Sequence, residues 1–297
     1  MIENSKVKKI LYGGDYNPEQ WPEDIWKEDM RMFRLAKIDI VTLNVFNWAM
    51  LQPEENTYNF EKLDKIMNMV RGNGLKVCMA TSTAAHPAWM ARKYPEILRT
   101  EHSGIRRKFG SRHNSCPNSS VYRRYSAALA EGLADRYKSY DNIVAWHVSN
   151  EYGGECYCEN CEKAFRKWLE EKYVTIEELN KVWNTAFWGH TLYSFEDVVV
   201  PNMQSEEFLW DTIRTNFQGI SLDYRRFMSD SMLSCFCLEY KALKKHMPDT
   251  PVTTNLMGLY KPLDYQKWAE YMDFVSWDNY PSYDTPFSEN AMKHDLM

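Results

Sequence analysis

Short apolar runs alternate with amphipathic stretches along this chain. Six runs read as strands, at 10–16, 38–46, 75–81, 143–149, 251–256 and 274–280. Between them lie stretches with helical spacing. One covers 21–37, with Pro22 near its start, and another covers 60–72, with Leu63, Ile66, Met67 and Val70 on one face. A third spans 121–138, and Gly74 punctuates the end of the second. The region 160–250 is mostly helical and longer than one crossover needs, so it reads as an insertion plus a fourth helix. Strands separated by helices predict a parallel sheet with right-handed crossovers. The expected fold is α/β, a (β/α)8 TIM barrel with about the first six strands present and the last two missing. A complete open sheet of six strands is the alternative. No linker, repeat or low-complexity run divides 1–297, so it reads as one catalytic barrel domain, C-terminally incomplete, with a helical insertion and a cysteine-rich loop at about 152–250.

Composition narrows the class. Of the 297 residues, 44% are hydrophobic, enough for a sizeable core, and the formal net charge is −5. An acidic balance disfavours nucleic acid and offers nothing to an anionic membrane surface. The N-terminus lacks the apolar core of a signal peptide. No segment approaches the roughly 20 apolar residues of a membrane span. The expectation is a cytoplasmic protein. Eleven Trp, nineteen Tyr and thirteen Phe make the chain strongly aromatic. Many lie beside strand ends, where their faces suit the C–H faces of sugar rings as well as a core.

The fourth strand ends on Asn150-Glu151. In a parallel barrel, strand C-termini carry the chemistry. A carboxyl there can give and take a proton, and an amide beside it can hold a sugar hydroxyl. Glycoside hydrolysis with retention needs a second carboxylate about 5–5.5 Å away. Asp15, Asp278 and Glu155 are the acidic candidates in view, and Asp15 and Asp278 read as groups that bind substrate or hold a neighbour in place. Partial burial and a nearby carboxylate are expected to raise the pKa of Glu151. The bland alternative is a surface carboxylate or half of an ion pair.

Cys156, Cys158 and Cys161 fall within six residues after that strand, and Cys116 lies in the loop after strand three. Four thiolates gathered there suit a structural, tetrahedral zinc, with free loop thiols as the alternative. Cys78, Cys235 and Cys237 read as core residues, and His147 as a satisfied core histidine. Arg112 lies four residues before Cys116, placed either to reach the cleft or to form a loop ion pair. Trp89 reads equally as a cleft wall or a helix-packing residue. Trp183 and Trp188 flank 184–187 in the insertion, and 277–281 reads as cleft lining at the end of strand six.

Together these pieces resemble glycoside hydrolase family 42, the microbial β-galactosidases. The resemblance is carried by 12–22 (YGGDYNPEQWP), Asn47-Trp48-Ala49 with Gln52-Pro53-Glu54, Pro87-Ala88-Trp89, Ser111-Arg112, 146–153 (WHVSNEYG) and 276–281 (SWDNYP). It implies that Glu151 is the acid/base, that Asn150 contacts a sugar hydroxyl, and that Arg112 belongs to the sugar pocket. Trp188 matches an aromatic near the active site, and Cys116, Cys156, Cys158 and Cys161 match the Zn2+ ligands of some members. It further implies a retaining exo-enzyme releasing terminal β-galactose from a β-galactoside or galacto-oligosaccharide, homotrimeric when full length. The nucleophile would be a glutamate on strand seven, beyond residue 297, which would leave the chain inactive alone. A degenerate, non-catalytic sugar-binding fragment is the competing reading.

Overall fold

The computed structural model describes residues 7–206 and 218–297. Five strands lie side by side in chain order: β1 (Gly13–Asp15), β2 (Ile40–Leu43), β3 (Lys76–Ala80), β4 (Ile143–His147) and β5 (Val252–Thr253). Every pairing is parallel. The chain runs past Thr254 into β6 (Asn255–Leu256), which pairs in parallel with β7 (Ser276–Trp277). The α/β reading with a parallel sheet therefore holds. The count of six strands is corrected: the predicted 251–256 strand divides at Thr254, giving seven segments in two ladders among the described residues. Right-twisted neighbours shear as they curve, so a two-residue ladder can hand over to the next.

Burial explains which runs became strands. All five residues of β4 are buried, as expected for a parallel strand covered on both faces. β1 is shorter than the predicted 10–16: Ile10 and Tyr12 stand in solvent, and the Tyr12 N–H turns to the Asp39 carboxylate instead of a strand carbonyl. Gly13 is required where it sits. A Cβ there would lie 1.7 Å from the carbonyl oxygen of Ile40, so only hydrogen permits the β1–β2 approach.

The helices follow the predicted pattern with trimmed ends: Glu23–Leu35, Glu61–Gly72 and Ser120–Tyr137. The last is capped by Ser119, whose hydroxyl accepts from the Tyr122 N–H. The region 160–250 is mostly helical as expected, with helices Glu159–Tyr173 and Ile176–Trp183 in the insertion and Gln218–His246 as the fourth crossover helix, leading into β5. The long Gln218–His246 helix lies against Ser120–Tyr137. Trp48, Trp146 and Trp268 are the largest fully buried side chains. At roughly 25 cal/mol per Å² over about 150–250 Å² each, an indole contributes about 4–6 kcal/mol before side-chain entropy. No helix among the described residues is long and apolar enough to cross a membrane.

Candidate active site

β4 stops at His147, and the backbone then turns sharply. Ser149 and Glu151 adopt left-handed conformations, at φ 57° and 44°. Such residues cost of order 1–3 kcal/mol each and persist where neighbours over-determine them. Here the neighbours are specific. The Ser149 N–H donates to Thr81 Oγ1 at 2.9 Å, and the Glu151 N–H donates to Asn255 Oδ1 at 2.8 Å. Asn255, on β6, is a hub the sequence reading missed. Its Oδ1 also accepts from His147 Nε2 at 2.9 Å, while its Nδ2 donates to Asn150 Oδ1 at 3.1 Å and to Asp278 Oδ2 at 2.8 Å. Burial keeps His147 below the usual histidine pKa, so it is a neutral, satisfied core residue as predicted. Its Nε2–H tautomer follows from the carbonyl oxygen it faces.

The structure brings Arg112 to Glu151: Nη2 lies 2.6 Å from Oε2, with the Glu151 side chain 12% exposed. The guanidinium sits 5.7 Å from the Phe46 ring centroid. Asn150 is buried and donates through Nδ2 to the same Oε2 at 3.3 Å. Glu151, Arg112, Asn150 and Asp278 thus form one cluster at the sheet's C-terminal edge.

Its electrostatics differ from the expectation in one respect. Burial does act to raise Glu151, but a hydrogen bond from Asp278 and the charge of Arg112 outweigh it, so its pKa falls below the usual range. Asp278 moves the other way. Burial, then the hydrogen bond and charge of Glu151, push it up to about 7. The two carboxyls cannot both ionise cheaply side by side, so the pair keeps one proton to near neutrality. In this unliganded arrangement the proton rests on Asp278.

The other predicted residues fall as follows. Glu155 accepts from the Tyr157 hydroxyl. Asp15 ends β1 and raises Asp278 through its charge. Trp89 packs edge-on to Tyr125 and donates to the Gln52 carbonyl at 2.8 Å, which settles it as a helix-packing residue. Trp188 stands 60% exposed on the insertion, stacked on Phe187 at 4.8 Å. Cys235 is buried, Cys78 and Cys237 partly so, and burial pushes the Cys78 thiol up to about 12.

Cys116, Cys156, Cys158 and Cys161 converge with all four sulfurs buried and within 4.8 Å of one another. Cys116 Sγ lies 3.4 Å from both Cys158 Sγ and Cys161 Sγ. A tetrahedral zinc with bonds of about 2.3 Å sets sulfurs about 3.8 Å apart, so the cage suits one ion. Backbone and amide N–H groups point at the sulfurs: Thr100 N to Cys156, Asn118 N to Cys116 and Asn118 Nδ2 to Cys161, at 3.4–3.5 Å. Such donors favour thiolate over thiol. The same two loops are clamped by buried Arg99, which donates to the Ser115 carbonyl at 2.8 Å and the Gly153 carbonyl at 2.6 Å. The Arg112 loop and the Glu151 loop are therefore joined at two points.

Known proteins share this sequence pattern and fold. A family model described as beta-galactosidase, glycoside hydrolase 42, matches residues 15–297. The chain is 63% identical over 295 residues to beta-galactosidase BgaP of Planococcus sp. (strain L4), and 49% identical over 294 residues to beta-galactosidase LacZ of Lactobacillus acidophilus. Each match covers 99% of this chain, but 43% and 44% of the relatives, so the chain spans less than half their length. Among solved structures, a beta-galactosidase from Bacillus circulans sp. alkalophilus superposes with a TM-score of 0.96 at 61% identity, covering 100% of this chain and 43% of that one. One from Rahnella sp. R3 gives 0.93 at 39% identity, covering 99% and 43%. The chain belongs to glycoside hydrolase family 42.

Proposed function

We propose that this chain is the acid/base-bearing part of a retaining, exo-acting β-galactosidase, with Glu151 as the acid/base. One observation carries the reading: a mostly buried carboxyl at a strand's C-terminal end, sharing a proton with Asp278 and held by Arg112. Family membership supplies the substrate class, a terminal β-galactoside.

The steps follow from that geometry. A nucleophilic glutamate, beyond residue 297 in the complete protein, attacks the anomeric carbon. The glycosidic C–O bond breaks as Glu151, having taken the shared proton from Asp278, gives it to the departing oxygen. Glu151, now ionised, takes a proton from water, which attacks the galactosyl–enzyme bond and releases β-galactose. Arg112 stabilises the ionised form that the second step needs. Asp278 holds the proton that the first step needs, so the pair is poised on both sides of the transfer. Asn150, fixed by Asn255, is oriented to meet a sugar hydroxyl.

The parallel ladder, continued by the strands of the longer relatives, would close into an eight-stranded barrel. The four-cysteine cage would hold a structural Zn2+ whose chemistry is to fix loops. Kinetics test the assignment. In the complete protein, Glu151→Gln is expected to lose most kcat/KM on galactosides with poor leaving groups, by about 10²–10⁴-fold, and far less on activated aryl galactosides. Equal small losses on both would remove Glu151 from the acid/base role.

A further inference from the structure

Glu239 is fully buried on the Gln218–His246 helix, far along the chain from the Glu151 turn. Among the described residues no cation pairs with it, and its hydrogen-bond partners are hydroxyls. Its Oε2 accepts from Thr81 Oγ1 at 2.7 Å, and both its oxygens accept from Thr83 Oγ1, at 2.9 and 2.8 Å. A carboxyl in such a place costs stability unless it is needed there.

The hydroxyl of Thr81 links it to the site. That oxygen has one proton to give, and it gives it to Glu239. Its lone pairs are thereby left for the Ser149 N–H, which donates at 2.9 Å. Ser149 is the first left-handed residue of the turn that aims Glu151. Burial pushes the Glu239 carboxyl up to about 7, and in its ionised form the relay runs one way, from backbone N–H to threonine oxygen and from threonine proton to carboxylate. Asn255 holds the turn from the β6 side, and the Glu239–Thr81 pair holds it from the β3 side.

We propose that Glu239 is a positioning residue for the acid/base, acting through Thr81 to lock the strained Ser149–Glu151 turn. The proposal rests on the acid/base reading of Glu151 and adds a second anchor to it, supplied by the long helix that leads from the insertion into β5.

The test compares three variants of the complete protein, Thr81→Val, Thr81→Ser and Glu239→Gln. Each is assayed by kcat/KM on an activated aryl galactoside and on lactose. Thr81→Val removes the link and keeps the shape. Glu239→Gln leaves one acceptor oxygen where the two hydroxyls use both. A misaimed acid slows the substrate that needs protonation, so both are expected to lose about 10–100-fold on lactose and only a few-fold on the aryl galactoside. Thr81→Ser restores the hydroxyl and is expected to stay within about threefold of the parent on both. Equal losses on the two substrates would mean a structural role and overturn the proposal, as would an unimpaired Thr81→Val. Should Glu151→Gln show the leaving-group dependence while these variants do not, the positioning role alone fails. Should Glu151→Gln itself lack it, the acid/base reading fails and carries this proposal with it.

Discussion

Replacing Asp278 with Asn separates the shared proton from the field of Arg112. In the parent, Asp278 titrates near 7, far above a free carboxyl, while Glu151 is held low by Asp278 and Arg112. The pair therefore holds one proton until about pH 7. Remove the second carboxyl, and Glu151 is left 2.6 Å from a guanidinium with no neighbouring negative charge to share with. The one proton, which the pair kept until about pH 7, then has only Glu151 to rest on and leaves at lower pH. The protonated form is the one that protonates a leaving group, so the basic limb of kcat/KM reports this loss. The limb is expected to move down from near neutrality by about one to three pH units, toward the ordinary carboxylate range near 4. The assay is a pH profile of kcat/KM on lactose with the complete protein, for the parent and Asp278→Asn. An aryl galactoside, which needs little acid assistance, serves as the control and is expected to show a smaller displacement. A basic limb that stays in place in Asp278→Asn would refute the shared-proton argument.

Two further outcomes are expected. The four-cysteine cage predicts about one zinc per chain by elemental analysis, and Cys158→Ser is expected to lower both metal content and melting temperature; a variant with unchanged zinc would contradict the cage. Gly13→Ala forces a methyl against the Ile40 carbonyl, and the expected cost is about 1–3 kcal/mol by denaturant unfolding, whereas an unchanged midpoint would mean that β1 shifts freely.

Much of the fold was legible because burial is two-sided in a parallel sheet. β4 is apolar and buried throughout, so its letters and its environment agree. β1 misled because Ile10 and Tyr12 are apolar letters in exposed positions, where the chain enters the sheet from solvent. The break at Thr254 has no local signal, since the 251–256 run is continuous in sequence and divides only as the ladder passes from β4 to β7. At the site, Asn150, Glu151 and the cysteine spacing were readable as motifs. The partnership of Glu151 with Asp278 was not, because it depends on β6 and β7 bringing Asn255 and Asp278 beside β4. Sequence reasoning expected a neighbouring carboxylate to raise Glu151; the structure lets Arg112 decide which partner keeps the proton. Glu239 did leave a trace, a carboxyl set directly after Cys235-Phe236-Cys237-Leu238 in a buried part of its helix. A charge in such company asks for a partner, and the partners proved to be the two threonines beyond β3.

The central claim is that Glu151 gives and takes the proton while another group attacks the sugar. Chemical rescue of Glu151→Ala by azide, in the complete protein and with an activated aryl galactoside, tests it most directly. With the base gone, azide needs no deprotonation and can occupy the space that the carboxyl leaves, so turnover should rise with azide and the product should be β-galactosyl azide, with the substrate's anomeric configuration kept. Formation of the α-azide would make Glu151 the nucleophile instead, and no response to azide would remove it from the proton transfer altogether.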